Sequence, residues 1–158
     1  MYTKLEQLED IAYQSDVQIH NFRFSDIKKA ACVLLGDCKT IALDRLGISS
    51  TAEEVEILAE EIGHFETGAL YIVNSTYNTP VARSNRIKCE GTAKRWAYEN
   101  LLKPDEIESA IAKNLGDIHL AADDCQVTVE FMNAAISYYR SCGIVFNFDV
   151  EICDDAHY

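Results

Sequence analysis

The sequence is poor in proline and contains no long apolar run. Only two of its 158 residues are proline and 48% are hydrophobic, which excludes a proline-rich disordered chain and predicts an ordered globular protein. No run approaches the roughly 20 apolar residues that a membrane-spanning helix needs. The N-terminal stretch 1–10 is charged and amphipathic and has no apolar signal core, so we expect a cytoplasmic protein.

Positive charge is also scarce. The chain has 14 Lys and Arg residues against 26 Asp and Glu residues, and its formal net charge is −12. Proteins bind nucleic acid largely by neutralising phosphates with Lys and Arg, so this balance argues against DNA or RNA as a direct ligand. The same charge is compatible with a basic protein partner or substrate that is steered by electrostatic attraction.

Several motifs of metal and nucleophilic chemistry are missing. No two of the six cysteines are spaced as Cys-x-x-Cys, so we expect no structural zinc knuckle, and without an export signal we expect reduced, mostly buried thiols. The chain has no Gly-rich phosphate loop and no Gly-x-Ser-x-Gly elbow. It contains only four histidines, which gives weight to the surroundings of His64.

The most strongly patterned segment predicts a helix from about Ser50 to Thr67. Capping residues precede it, glutamates lie in its first turn, and apolar residues follow at helical spacing. Glu60 and His64 are four residues apart, so their side chains lie one turn apart and can reach one small ion. Glu61 is adjacent but rotated by about 100°.

This pattern is similar to the zincin helix His-Glu-x-x-His, in which the outer residues bind zinc and the inner Glu acts as general base. Glu60 stands at the position of the first His. The alternative interpretation is a solvated acidic helix face, because acidic helices often carry such strings.

The N-terminal part of the chain predicts a small sheet packed on helices, and so an α+β protein. A first helix is predicted at 3–15, and the turn at 36–38 is typical of a hairpin. We expect a three-stranded antiparallel sheet, with strands at 17–22, 30–35 and 39–43.

The C-terminal part predicts a long loop followed by helices. Residues 69–87 are rich in loop residues, and a loop of this length often lines a functional site. The predicted helices are 87–102, 105–113, 118–124 and 129–139. We expect a single domain, 1–158, with a core at 1–103, a helical part at 104–142 and an acidic tail at 143–158, which either frays or pairs as an edge strand.

Two strings together resemble a known family. Ala59-Glu60-Glu61-Ile62-Gly63-His64 is followed by Glu90-x-x-Ala93-x-x-Trp96-Ala97 and then by Leu101-Leu102. Their order and spacing resemble the ImmA/IrrE metallopeptidases of bacteria, their mobile elements and phages, in the short form of that family. The resemblance covers roughly residues 1–140.

The resemblance implies a fold, a site and a substrate. It implies a zincin-like fold with a C-terminal helical cap, His64 and Glu90 as metal ligands, Glu61 as general base, and Glu60 where most of the family has His. It implies zinc as cofactor and a helix-turn-helix repressor of a prophage or mobile element as substrate. Two Glu and one His form a harder, more negative site than two His and one Glu, which favours Mn²⁺ or Fe²⁺ more than usual.

Two alternatives remain open at the level of sequence. The chain could be a metal-binding but catalytically inactive relative that acts as a protein-interaction module, or its acidic helix could be purely structural. Trp96 is expected in the core rather than in substrate stacking, and nothing singles out Tyr98 among the eight tyrosines as an oxyanion donor. His119 begins an apolar helix and is expected to lie outside the ligand set.

Overall fold

In the computed structural model the described residues are 2–70 and 79–148, and they form six α-helices and one three-stranded sheet. The fold is therefore α+β, as predicted. The chain divides into two compact units, Met1–Leu101 and Leu102–Tyr158. Within the described ranges, no helix combines the length and the apolar character that crossing a membrane requires.

The first helix, α1 (Lys4–Gln14), confirms the prediction for residues 3–15. The side chain of Thr3 accepts a hydrogen bond from the backbone N–H of Glu6, whose carboxylate accepts one from the backbone N–H of Thr3 at 2.7 Å. This reciprocal capping box satisfies two N–H groups that the helix cannot satisfy itself. Leu8 and Ala12 are the buried residues of the helix.

The sheet consists of β1 (Val17–Asn21), β2 (Ala30–Leu35) and β3 (Cys38–Leu43), in the spatial order β1-β3-β2. The hairpin of β2 and β3 is antiparallel, as predicted, but β1 pairs with β3 in parallel. The predicted all-antiparallel sheet is therefore wrong, and the sheet is mixed. The connection 22–29 carries the chain from β1 across the width of one strand, roughly 5 Å, to β2. β3 then pairs between the two, and β2 lies at an edge of the sheet.

Helix α2 (Thr51–Thr67) matches the predicted segment to within one residue. The hydroxyl of Ser50 accepts a hydrogen bond from the backbone N–H of Glu53 at 3.2 Å and caps its start. Gly68 ends it with φ 67°, in the left-handed region that glycine adopts without strain. The helix packs against α1, β2, β3 and the helix that follows, and this central position explains why its apolar pattern is so clear.

Helix α3 (Pro80–Leu101) begins earlier than the predicted start near Ile87. The predicted loop is therefore wrong for residues 80–87, while residues 71–78 lie outside the described part of the chain. Pro80 suits a first helical position, and the hydroxyl of Thr79 accepts a hydrogen bond from the N–H of Ala82 at 3.2 Å. Residues 80–88 are exposed, so no apolar period marks this part of the helix in the sequence.

The second unit contains three helices, which confirm the predicted ones: α4 (Pro104–Lys113), α5 (Ile118–Asp124) and α6 (Val129–Ser141). The largest fully buried side chains of this unit are apolar: Leu102, Ile107, Ile111, Val127, Met132 and Ile136. Residues 144–148 form no strand, and the acidic residues 149–158 lie outside the described part of the chain.

Candidate metal centre

The second half of α2 presents ionisable side chains to two neighbouring elements. Glu60 and His64 face α3, where both interact with Glu90. Glu61, rotated away from them, faces β2 and interacts with Cys32. His64 is buried, with 4% of its surface exposed, and the three glutamates are half-buried. The alternative interpretation, a solvated acidic helix face, therefore does not describe this part of α2.

A close helix contact brings Glu90 to His64. A Cβ atom built on Gly63 would lie 2.8 Å from the carbonyl oxygen of Ala93 and 3.3 Å from Cε3 of Trp96, so no larger residue fits without movement of the backbone. Ala93 itself is fully buried. Because Glu90 lies three residues before Ala93, it occupies the same face of α3, one turn away. The small pair Gly63 and Ala93 thus sets the distance between the two helices at the site.

One nitrogen of His64 and one carboxylate oxygen each of Glu60 and Glu90 lie within 4.8 Å of one another, a grouping that could hold a metal ion. Nε2 of His64 is 3.5 Å from Oε2 of Glu90. Tetrahedral zinc with ligands at about 2.1 Å places donor atoms about 3.4 Å apart, so this pair already has the required spacing. The other separations are at most 4.8 Å, a rotation of the glutamate side chains can shorten them, and the donor set fits a divalent ion.

The orientation of the His64 ring is set by the end of its own helix. Its Nδ1 lies 2.7 Å from the carbonyl oxygen of Ala69, which accepts the Nδ1–H hydrogen bond. The other nitrogen, Nε2, is thereby directed towards Glu90. Metal-binding histidines commonly hold one N–H against a carbonyl in this way, which leaves the lone pair of the second nitrogen for the ion.

In the absence of metal, burial and repulsion between neighbouring carboxylates favour proton binding by Glu60 and His64. Burial, opposed by the charge of Lys94 and reinforced by Glu90, raises the pKa of Glu60 to about 7. Burial acts to lower the pKa of His64, but hydrogen bonds to Glu90 and Ala69 and the charge of Glu61 raise it above its usual value overall. A metal ion would therefore displace protons when it binds.

Glu61 lies beside this group but is not one of its three donors. Burial raises the pKa of its carboxyl, against the charge of His64 and a hydrogen bond from the Cys32 thiol. A half-buried carboxylate of this kind is suited to accept a proton near neutral pH.

The other residues considered from the sequence lie outside the group of three donors. Trp96 lies against Gly63 but is only half-buried, so it is at the margin of the core rather than inside it as expected. Burial, followed by the charges of Glu60 and Glu56, raises the pKa of Tyr98, which places this phenol near Glu60. His119 is exposed on α5 and is not among the three grouped donors.

Sequence reasoning missed Cys32 and Lys94 as neighbours of the site. Cys32 is 29 residues from Glu61 along the chain, and no local pattern links a strand thiol to a helix carboxylate. Lys94 carried a usable signal, because it lies four residues after Glu90 and therefore on the same face of α3.

Comparison with models of protein families, with curated proteins and with solved structures gives no match. The resemblance to ImmA/IrrE metallopeptidases therefore rests on the two sequence strings and stays a prediction. The structure adds to it the proximity of Glu60, His64 and Glu90.

Proposed function

We propose that the protein is a metal-dependent endopeptidase of zincin-like architecture, with one divalent ion held by Glu60, His64 and Glu90. One observation carries the proposal: three donor atoms from two helices lie within 4.8 Å of one another, next to a further half-buried carboxylate, Glu61. Catalytic zinc sites characteristically use three protein ligands and leave a position open.

The roles of the side chains follow from their positions. A bound divalent ion would act as a Lewis acid on the scissile carbonyl and would lower the pKa of a water molecule. The carboxylate of Glu61 would take the proton from the attacking water and pass it to the departing amine. The Ala69 carbonyl holds the proton on Nδ1 of His64, which keeps Nε2 free of it in the neutral ring.

Zinc is the metal that we propose, with Mn²⁺ and Fe²⁺ as the nearest competitors. Carboxylate and imidazole both bind zinc at about 2.0–2.2 Å, so Glu60 can replace a histidine without a change in helix spacing. Two carboxylates cancel the charge of a divalent ion, which favours harder metals more than a site with two histidines does.

The substrate that we propose is a helix-turn-helix repressor of a prophage or mobile element in the cytoplasm. This proposal comes from the family resemblance and is supported by charge. A DNA-binding protein carries a basic surface, and the formal net charge of −12 on this chain would attract it electrostatically.

A second candidate function follows from Glu60. With two carboxylate ligands the loaded site has no net charge, so a bound water would lose its proton less readily than in a site with two histidines. This observation favours a metal-binding but inactive relative that acts as a protein-interaction module. The two candidates differ in what they require of Glu61.

The test uses full-length protein purified without a polyhistidine tag and loaded with Zn²⁺. A mixed set of synthetic peptides is incubated with the protein, and new termini are identified by mass spectrometry. We expect cleavage by the wild type and a loss of at least about 100-fold in rate in Glu61→Gln, because the general base is removed. Zinc content should not change, since Glu61 is outside the donor group.

Glu66→Gln is the matched control, because Glu66 is an exposed glutamate on the same helix. It should cleave as the wild type does. No cleavage by zinc-loaded wild type, of the peptides or of a coexpressed repressor, would leave the interaction module as the better proposal. Equal cleavage by Glu61→Gln and wild type would remove Glu61 from the mechanism.

A further inference from the structure

The carbonyl of Ala69 reaches His64 from beyond the end of α2. Side chains of a helix lean towards its N-terminus, so a residue that follows the helix contacts His64 only if the chain turns back. Gly68 makes this turn with φ 67° and ψ 12°. The backbone N–H of Leu70 then donates to the carbonyl of Gly68 at 2.8 Å, which closes a three-residue turn centred on Ala69. The position of the Ala69 carbonyl therefore depends on this turn.

The hydroxyl of Thr67 connects the turn to the helix. It donates to the carbonyl of Gly63 at 2.7 Å, a back-bond of the kind that threonine forms one turn along a helix. It also accepts a hydrogen bond from the backbone N–H of Ala69 at 3.4 Å, which is longer and weaker. Both backbone groups of Ala69 are thus engaged, the N–H by Thr67 and the carbonyl by His64. Since Gly63 forms the close contact with α3, the hydroxyl joins that contact to the turn.

A second threonine forms the same back-bond without a turn. The hydroxyl of Thr92 donates to the carbonyl of Lys88 at 2.9 Å and accepts a hydrogen bond from the guanidinium of Arg95 at 3.0 Å. Helix α3 continues past Thr92 to Leu101, so this hydroxyl does not fix the end of a helix. The two threonines therefore differ in what the hydroxyl accepts, a backbone N–H beside His64 or a surface side chain.

We propose that Thr67 is a positioning residue for His64, which acts by fixing Ala69 so that its carbonyl accepts the Nδ1–H of the imidazole. The inference rests on the proposed function, in which His64 is a metal ligand. A neutral ring carries its proton on one nitrogen only, and Nε2 must be free of it to bind a metal. If the Ala69 carbonyl moved away, the carboxylate of Glu90, 3.5 Å from Nε2, would be the competing acceptor. Thr67 thereby favours the tautomer that binds metal.

The first experiment needs neither metal nor activity. The imidazole of His64 in isotope-labelled, chelator-treated protein is observed by NMR at about pH 9, where a histidine ring is neutral. Wild type and Thr67→Ser should carry the proton on Nδ1. Thr67→Val keeps the branched shape but lacks the hydroxyl, and about half or more of its rings should carry the proton on Nε2. Thr92→Val loses the same kind of back-bond and should keep the proton on Nδ1. An unchanged proton position in Thr67→Val would overturn the proposal.

The second experiment is a zinc titration against a competing chelator. Thr67→Val should weaken zinc binding by about tenfold, the low end of what losing the hydrogen-bond partner of a ligand costs, because Thr67 acts through Ala69. Thr67→Ser retains a hydroxyl and should stay within about twofold of wild type. Thr92→Val should bind zinc as the wild type does. Chemical denaturation of both valine variants shows whether they lose similar stability, which separates positioning of His64 from a general weakening of a helix.

The outcomes distinguish this inference from the function on which it rests. Wild-type zinc affinity in Thr67→Val, or equal weakening in its Val and Ser variants, would overturn the positioning role while His64 remains a ligand. Equal weakening in Thr92→Val would assign the effect to helix stability and would also overturn it. If Thr67→Val does not fold, Thr67→Ala replaces it, because alanine also lacks the hydroxyl and is the best helix former. If wild type binds no zinc, the proposed metal centre fails, and the proton position on His64 alone then decides the role of Thr67.

Discussion

The helices of the two units pack by different means. In the second unit, fully buried Ile107, Met132 and Ile136 form the core, and no charged side chain is buried among its described residues. In the first unit, the contact between α2 and α3 contains buried His64 and the half-buried Glu60 and Glu90. The described core of the second unit is therefore packed without a buried charge.

This difference indicates that the ionisable side chains between α2 and α3 serve a purpose other than helix packing. Burying carboxylates raises their pKa and destabilises the fold at neutral pH, and nothing in the packing of helices requires it. Glu60, Glu61 and Glu90 together exceed the positive charge of Lys94, even when His64 is protonated. A divalent ion, with His64 neutral and Lys94 charged, leaves the group without net charge.

The largest expected effect comes from removing the buried histidine of the first unit. His64→Ala should weaken zinc binding by at least about 100-fold, because it removes one of three ligands and the one that is held in place by the Ala69 carbonyl. The measurement is a zinc titration against a competing chelator. His119→Ala, in an exposed histidine of the second unit, should bind zinc as the wild type does. If His64→Ala bound zinc with wild-type affinity, the buried histidine of the first unit would not be a metal ligand.

The next effect concerns the spacing of α2 and α3. Gly63→Ala should lower the free energy of unfolding by about 2–3 kcal/mol, because its Cβ meets a backbone oxygen at 2.8 Å and the helices must separate. The same separation should weaken zinc binding. Chemical denaturation and the chelator titration measure the two effects.

Gly91→Ala is the matched control, since a Cβ at Gly91 meets nothing within 4 Å. It lies inside α3 and should stabilise the protein by about 0.5–1 kcal/mol, because alanine is the better helix former. Equal destabilisation by the two substitutions would show that the close contact of Gly63 does not set the helix spacing.

The smallest effect is a pH dependence of the metal-free protein. Glu60 has its pKa raised from 4.5 to about 7 in the folded chain, so between these values the folded state binds more protons than the unfolded state. Its contribution is favourable at low pH and is lost as pH rises through about 7. Glu60→Gln lacks this dependence, so with chelator present its stability relative to wild type should increase between pH 5 and pH 8, by about 1–2 kcal/mol.

Denaturation of wild type and Glu60→Gln at several pH values measures this increase. Glu66→Gln changes an exposed glutamate of the same helix and should show no such increase relative to wild type. A constant difference between Glu60→Gln and wild type across the pH range would mean that burial of Glu60 does not destabilise the first unit.

Local patterns in the sequence predicted most of the helices and part of the site. The bounds of α2 follow from the cap at Ser50, the apolar spacing and the stop at Gly68. The spacing of Glu60 and His64 follows from the helical repeat alone. These features depend on residues within a few positions of each other, and such interactions are the same in any fold that contains the helix.

Long-range contacts decided the rest, and no local pattern encodes them. The parallel pairing of β1 with β3 depends on how a connection passes a neighbouring strand. Glu90 was expected at the site from the resemblance, but its place beside His64 depends on the approach of Ala93 to Gly63. The proximity of Cys32 to Glu61 depends on the packing of β2 against α2. Each of these joins distant residues whose proximity is set by packing, and periodicity within one segment carries no information about its partner in another.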